Sequence, residues 1–255
     1  MKMLQLLKQL TLTAFLFSVT FSTGIAGGPL SLAGPGGHTP VTYPNGGRNI
    51  QLNFDLGPLG SRTNTQADAL IDTAIGLWTN NATSTVQLLQ GADLPVDVDQ
   101  TNFSSYLSNF SDGLNPVIFD TDGQIIDAVF GANAKNSVLG FAGSAFFSST
   151  ATYSEGRAVI SGYLSVSDAV LTTVFAHEIG HFIGLDHSQL DNSQGLAGSN
   201  YVLMYPIAFR TRISLHEDDA AAVTSLYPTT DAFNTYGFCQ FLRVFNFRCT
   251  GKTGN

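Results

Sequence analysis

Three of the five histidines in this chain of 255 residues lie close together, at His177, His181 and His187. Residues four apart on an α-helix project from nearly the same face, so His177 and His181 can both reach one metal ion. Gly184 can adopt the left-handed conformation that ends a helix, and the chain beyond it can return His187 as a third nitrogen ligand. Three protein ligands leave the fourth position of a tetrahedral zinc ion open to water, which is typical of catalytic sites. The spacing therefore predicts one catalytic zinc ion.

Glu178 is the candidate general base of this site. It directly follows the first ligand, one step round the helix, where it lies beside a water at the open position rather than binding the metal. Zinc lowers the pKa of such a water towards ~7, and a carboxylate can then take its proton. The alternative is that the histidines simply lie on a partly buried helix, but several specified positions match together and favour the metal site.

The pattern HExxHxxGxxH at residues 177–187 resembles that of the metzincin zinc metallopeptidases. Within this clan, Gly-Leu-Asp-His-Ser at 184–188 and Leu-Met-Tyr-Pro at 203–206 are most similar to the matrixin, or matrix-metalloproteinase-like, family. The resemblance implies that Met204 lies in the Met-turn, a hydrophobic support beneath the ligands. It also implies a secreted zinc endopeptidase that acts on protein or peptide substrates.

The fold that this resemblance implies is an α+β catalytic domain over residues 49–228. It has a twisted, mostly parallel sheet with an antiparallel edge strand, and long helices, one of which carries HExxH. Hydrophobic patterning independently predicts strands and three helices. The resemblance makes 138–147 the candidate for the edge strand. The predicted strands are 49–54, 116–119, 138–147 and 157–164, and the predicted helices are 65–80, 165 or 167 to 183, and 216–226.

The chain departs from animal matrixins in two respects. Those proteins carry a propeptide whose cysteine occupies the zinc, whereas the first cysteine here is Cys239 and residues 27–48 are too short for such a domain. They also bind a second, structural zinc through histidines, but no histidine lies between His38 and His177. We therefore expect a bacterial-type member without a cysteine switch and with a single zinc.

Two other functions compete with the endopeptidase. One is a non-catalytic secreted binding or adhesion protein that has kept the zinc site, although the intact Glu178 argues against it. The other is a zinc hydrolase that cleaves a non-peptide amide, such as one in a cell wall.

Composition excludes several classes of protein. Only 12% of residues are charged and 44% are hydrophobic, which argues against intrinsic disorder. The net charge of −8 argues against a nucleic-acid partner, because phosphate binding needs clustered Lys and Arg. We expect a monomer without a transmembrane segment in the mature chain.

The N-terminus predicts export. Lys2 and Lys8 form a basic region before an apolar stretch from Leu10 to Phe21, and small residues follow near Ala26, where a signal peptidase would cut and remove residues 1–26. The alternative, a membrane anchor, needs roughly 20 apolar residues, and this stretch is shorter. The next segment, 27–48, is rich in Gly and Pro and predicts a linker.

The C-terminal tail, residues 229–255, contains both cysteines. In an oxidising compartment Cys239 and Cys249 most simply form a local disulfide, and two free thiols are the alternative. Its five phenylalanines are expected to pack on the domain, with docking to a surface or covering of the cleft as the alternative.

The sequence gives a weaker indication of a second metal site. Asp120, Asp122 and Asp127 could hold calcium, which favours clustered oxygen ligands. An acidic turn after a strand explains the same residues without an ion.

Overall fold

The computed structural model describes residues 27–189, 201–207 and 210–229. These residues form a mixed sheet with helices on both faces. The strands, in chain order, are β1 (Leu32–Ala33), β2 (Thr39–Pro40), β3 (Ile50–Phe54), β4 (Leu88–Gln90), β5 (Pro116–Asp120), β6 (Gly140–Phe147) and β7 (Thr152–Ser161). The helices are α1 (Pro44–Gly47), α2 (Asn64–Thr79), α3 (Phe103–Ser108), α4 (Gln124–Phe130), α5 (Asp168–Phe182) and α6 (Glu217–Leu226), with a 3₁₀ turn at Ala134–Asn136.

The main sheet has five strands in the order β4-β3-β5-β7-β6. β3 pairs in parallel with both β4 and β5, and β5 pairs in parallel with β7. β6 pairs antiparallel with β7 and forms one edge of the sheet. This confirms the predicted α+β fold, including the antiparallel edge strand.

Helices α2 and α5 pack together on one face of the sheet and form the larger core. α2 begins with a capping box in which Thr63 and Gln66 satisfy each other's backbone N–H groups. Its inner face buries the only Trp of the chain, and Trp78 Nε1 donates a hydrogen bond of 2.9 Å to Ala176 O on α5. This contact fixes α2 against the helix that carries the predicted ligands.

The opposite face of the sheet carries a smaller core. Ile118 of β5, Val159 of β7 and Ile125 of α4 are buried there together with two residues of the loop after β4, and side chains of α3 pack against them. The sequence missed α3, α4 and β4, and it placed the start of β7 five residues too late. These are short elements whose formation depends on the cover they give to the sheet.

Residues 27–48 differ from the predicted linker because they pack against the domain. Val41 is fully buried and Tyr43 is 5% exposed. Leu30 N donates to Gly184 O at 2.7 Å, and Asp186 N donates to Gly28 O at 2.9 Å. Gly and Pro richness here therefore reflects tight turns of a segment that lies along the domain.

Within the described part of the chain, none of the helices has the length and apolar character needed to cross a bilayer.

Candidate metal centre

The helix α5 positions the first two predicted ligands. Ser167 caps its N-terminus by accepting a hydrogen bond from Val170 N, and Asp168 in the first turn pairs with Arg62 at 2.7 Å. All twelve residues from 171 to 182 are buried between the sheet and α2. A helix buried on all sides has little freedom to move, so it holds its side chains in fixed positions.

The end of α5 turns the chain towards the third ligand. Gly184 has a φ of +97°, which an L side chain rarely adopts, and a Cβ there would lie 2.8 Å from the ring of Tyr153. The turn also satisfies carbonyls that a helix end leaves unpaired. Ser144 Oγ donates to Phe182 O at 2.8 Å, and Tyr227 Oη donates to Ile183 O at 2.7 Å.

The three predicted ligands converge on one point. The Nε2 atoms of His177 and His181 are 3.1 Å apart, those of His181 and His187 are 3.0 Å apart, and those of His177 and His187 are 3.3 Å apart. Among the described residues this is the one group of three or more His, Cys, Asp or Glu that could hold a metal ion.

The other ring nitrogens show which tautomer is present. Nδ1 of His177 lies 2.8 Å from Leu203 O, and Nδ1 of His181 lies 2.8 Å from Leu185 O. A carbonyl only accepts, so both Nδ1 atoms carry the proton and both Nε2 atoms present lone pairs. Burial lowers the pKa of His177 to about 3 and that of His181 to about 4, which keeps the rings neutral. Converging lone pairs at this distance repel one another unless a cation lies between them.

A zinc ion fits this arrangement. In a tetrahedral site with Zn–N bonds of ~2.0–2.1 Å, two ligand nitrogens lie about 3.3–3.4 Å apart, close to the separations observed. The Nδ1–carbonyl bonds of His177 and His181 are the outer contacts that zinc-binding histidines usually make. His177, His181 and His187 would therefore hold the ion.

Glu178 lies next to these histidines at the wall of a cavity of about 480 Å³. The cavity is lined by residues 137–142, by Pro206 and Ile207, and by the three histidines. Burial raises the pKa of Glu178 to about 8 in the absence of a metal. Gly140 makes room for this side chain, since a Cβ there would lie 2.9 Å from Glu178 Cγ.

Met204 is fully buried and packs against α5. Its Sδ lies so close to Gly180 that a Cβ on that glycine would collide with it. The backbone around Met204 also contacts the ligand segments: Leu203 O accepts from His177, and Met204 O accepts from Ser188 N at 2.8 Å. The segment predicted to be the Met-turn therefore contacts both α5 and the chain after His187, and its supporting role stays a prediction.

Asp219, which the sequence did not single out, holds this turn in place. Asp219 is fully buried, and its carboxylate accepts hydrogen bonds from Leu203 N at 2.9 Å, Met204 N at 3.0 Å and His216 N at 2.8 Å. Arg210 Nη1 lies 3.9 Å from the same carboxylate. The sequence shows three acidic residues at the start of α6, Glu217, Asp218 and Asp219, but their spacing does not indicate which of them would bond to the Met-turn.

The acidic residues proposed for calcium make other contacts. Both carboxylate oxygens of Asp120 accept hydrogen bonds from backbone N–H groups, those of Ile125 and Ile126. Asp122 accepts from the backbone of α4, and Asp127 lies 3.6 Å from Lys135 Nζ. These bonds build the start of α4, and calcium here stays a prediction. Cys239 and Cys249, predicted to form a disulfide, lie outside the described residues.

Comparison with known proteins agrees with this geometry. No curated protein matches the chain. The model of the matrixin family of zinc metalloendopeptidases matches residues 48–228, which include the three histidines, Glu178 and Met204. This family uses a catalytic zinc, and the histidine cluster is a fitting place for it. The chain therefore belongs to the matrixin family.

Proposed function

We propose that this chain is a secreted endopeptidase in which Glu178 acts as the general base on a water held at a zinc site formed by His177, His181 and His187. The observation that carries the proposal is the convergence of three histidine Nε2 atoms beside a buried carboxylate in one cleft. A zinc ion at these nitrogens supplies Lewis acidity, which lowers the pKa of water and polarises a carbonyl.

Glu178 moves the proton. Its carboxylate takes a proton from the attacking water as the new bond to the peptide carbonyl forms, and it passes that proton to the nitrogen of the departing amine. The residue lies at the wall of the cleft and directly follows a ligand, so it reaches both atoms without binding the metal. A positive ion nearby favours the ionised carboxylate and so opposes the effect of burial on its pKa.

The edge strand β6 supplies the substrate site. It is the outermost strand of the sheet, and residues 140–142 border the cleft that contains the histidines. An extended peptide can add to such an edge through backbone hydrogen bonds, which suit many sequences. This geometry supports protein or peptide substrates over a small non-peptide amide.

The test is cleavage of casein or gelatin by the full chain, with and without a chelator. We expect cleavage that the chelator abolishes and that zinc restores. General acid–base catalysis is typically worth ~10²–10⁴-fold, so Glu178→Gln should lose at least that much rate while it keeps one zinc per chain and an unchanged thermal midpoint. A Glu178→Gln variant with full zinc and more than a tenth of the wild-type rate would disprove the role of Glu178.

The same assay separates the competing functions. Zinc binding without cleavage of any peptide would favour a non-catalytic binding protein, and cleavage of a non-peptide amide alone would favour the other hydrolase.

Export is the second part of the proposal. Residues 1–26, which lie outside the described residues, have the pattern of a signal peptide with a cut near Ala26. The first described residues then lie against the turn after α5. N-terminal sequencing of secreted, active protein should begin near residue 27, and a start beyond Asn49 would reveal a latency segment that we have not recognised.

A further inference from the structure

A groove of about 570 Å³ lies between α2 and the segment that leads into α6. Residues between 72 and 81 form one wall, and residues between 213 and 220 form the other. We call it the α2–α6 groove. It is separate from the catalytic cleft, since no residue lines both.

Apolar side chains in this groove are only partly covered. Leu77 and Leu215 pack against the larger core but keep part of their surface exposed, and Ile213 is 40% exposed. The mechanism proposed above uses none of these three side chains. Contiguous apolar surface that is exposed to water often marks a contact surface, so the groove is suited to bury further side chains.

The last described residue of the chain lies close to the groove. Thr229 N donates a hydrogen bond of 3.1 Å to Thr83 O. Two residues before Thr83, Asn81 lines the groove, and its Nδ2 donates to Ala220 O on the opposite wall. An extended chain spans up to ~3.6 Å per residue, so Phe233 of the C-terminal tail can lie up to ~14 Å from Thr229. The tail therefore begins within reach of the groove.

The surface around the groove is acidic. Asp72 lines the groove, and Asp68 lies one turn earlier on the same face of α2. Asp68 Oδ1 is buried without a hydrogen-bond partner among the described residues. Partial burial raises the pKa of Asp68 to about 6, and the carboxylates of Asp93 and Asp72 add to this rise. Within the described ranges no Lys or Arg lines the groove or pairs with these carboxylates. A positively charged segment would stabilise them.

The tail has the complementary composition. Its basic side chains, Arg243, Arg248 and Lys252, outnumber its one acidic side chain, Asp231, in a chain whose net charge is −8. It therefore carries positive charge next to an acidic surface. The tail also contributes large apolar side chains, which are stabilised by burial. These are Phe233, Phe238, Phe241, Phe245 and Phe247.

We propose that the C-terminal tail docks in the α2–α6 groove of its own chain, with phenylalanine side chains packed on Leu77, Ile213 and Leu215. Its basic side chains then lie beside Asp68 and Asp72. Because the groove shares no residue with the catalytic cleft, the docked tail leaves the zinc site open.

Photo-crosslinking tests where the tail lies. In the full chain, p-benzoylphenylalanine replaces each tail phenylalanine in turn, and mass spectrometry maps the links that form on irradiation of a dilute sample. We expect one or more of these positions to link, within the same chain, to residues 72–81 or 213–220. The same amino acid at Phe147, which is 61% exposed on β6, is the control and should form no link to the groove.

Three results would overturn the proposal. Links to residues 137–142 or to Pro206 would show that the tail covers the cleft. Links between two chains would show that the tail docks on a second copy. The third result is that no tail position forms a link to the groove.

Trypsin measures how much of the tail is docked, because it cuts after Arg243 and Arg248. Zinc-loaded Glu178→Gln is the parent protein here, so that the chain cannot cut its own tail. When docking and release are fast relative to cleavage, the cleavage rate follows the population of released tail.

A charge placed in the groove should release the tail. Burial of a whole isoleucine side chain is typically worth roughly 10- to 100-fold in an equilibrium, and 40% of Ile213 is left to bury. We therefore expect Ile213→Asp to raise the rate of tail cleavage at least about 3-fold. Leu56→Asp, at a 44% exposed leucine outside the groove, is the matched control and should leave the rate unchanged.

An unchanged rate in Ile213→Asp, or an equal rise in Leu56→Asp, would contradict the proposal. Zinc content and the thermal midpoint show whether each variant is folded. Should Ile213→Asp lower the midpoint, crosslinking decides, since it leaves the groove unchanged. Neither measurement needs peptidase activity, so failure of the proposed function and failure of this inference are distinguishable.

Discussion

The first two ligands and the third are held in different ways. His177 and His181 lie one turn apart in the buried C-terminal half of α5, and each ring is fixed by a hydrogen bond from Nδ1 to a carbonyl. His187 is exposed and lies five residues beyond the end of that helix. Its backbone N–H donates to Asp186 Oδ1 at 2.7 Å. Two of the three ligands are therefore positioned by a helix, and the third is positioned by the turn that follows it.

This difference shows where the site depends on distant parts of the chain. The turn after α5 is bonded by Ser144 from the edge strand, by Tyr227 after α6, and by Gly28 and Leu30 from the N-terminal segment. The helical pair is placed by the packing of α5 between the sheet and α2, and its rings are oriented by two carbonyls outside the helix, those of Leu203 and Leu185. We therefore expect the two halves to respond differently to substitution.

The largest effect should follow loss of a helical ligand. Loss of an outer contact of a metal ligand typically weakens affinity 10–100-fold, so His181→Ala should weaken zinc binding by more than about 100-fold and abolish peptidase activity. Zinc titration against a chelating indicator measures this, with His38→Ala as the control outside the site. Retention of one tight zinc by His181→Ala would disprove the assigned ligand set.

Low pH should destabilise the metal-free protein because His177 and His181 are buried in the neutral form. Burial lowers the pKa of His177 to about 3 and of His181 to about 4, so between pH 5 and 6.5 the unfolded chain binds protons that the folded chain does not. Stability therefore rises with pH across this window, by roughly 2 kcal/mol per histidine between pH 5 and neutrality. Urea unfolding of chelator-treated protein measures the change.

Glu178 has the opposite effect on the pH dependence of stability, so the measurement should also be made on a variant that lacks its carboxyl group. Burial raises the pKa of Glu178 to about 8. Between the ordinary pKa of a glutamate and pH 8, the folded chain therefore keeps a proton that the unfolded chain has released. The free energy of unfolding falls as the pH rises across this range. The Glu178→Gln variant should therefore show the steeper rise with pH. A flat profile in that variant would contradict the neutral, buried state of the two histidines.

Gly184→Ala tests the turn. A non-glycine residue at a strained positive φ costs of order 1–3 kcal/mol, and a Cβ here would also meet Tyr153. We expect a lower free energy of unfolding together with weaker zinc binding, because the turn carries His187. Gly143→Ala is the matched control, since a Cβ at Gly143 has open space and its φ is not positive. Equal effects of the two substitutions would argue against a special role for the turn.

Tyr227→Phe should give the smallest effect. The buried hydroxyl donates to Ile183 O and accepts from Tyr43 N at 3.1 Å, and leaving such partners unpaired costs about 1–3 kcal/mol. We expect a lower unfolding free energy and a loss of zinc affinity smaller than about tenfold, since no ligand is touched. Tyr163→Phe, at a 44% exposed tyrosine, is the control. Unchanged stability in Tyr227→Phe would show that the turn does not need this bond.

The helical half of the site was predictable from the sequence because its geometry is local. Spacing of four on one helix places His177 and His181 together, and the predicted limits of α2, α5 and α6 lie within a few residues of those observed. The family pattern added Met204. Each of these follows from a few neighbouring residues.

The supports of the turn were not predictable in the same way. Asp219 reaches the Met-turn, and Tyr43 reaches Tyr227, across long stretches of chain, and no periodicity records such contacts. The composition of 27–48 predicted a linker, whereas Val41 and Tyr43 are buried because the segment packs against the domain. Long-range packing determined these features.

The packing of the N-terminal segment has a consequence for producing the protein. The family match begins at residue 48, and a recombinant fragment that started there would look complete by homology. It would lack Leu30 and Gly28, which bond to the turn before His187, and Tyr43, which lies against Tyr227. Such a fragment would keep every ligand and yet be a poor choice for screening activity, so expression should begin at residue 27.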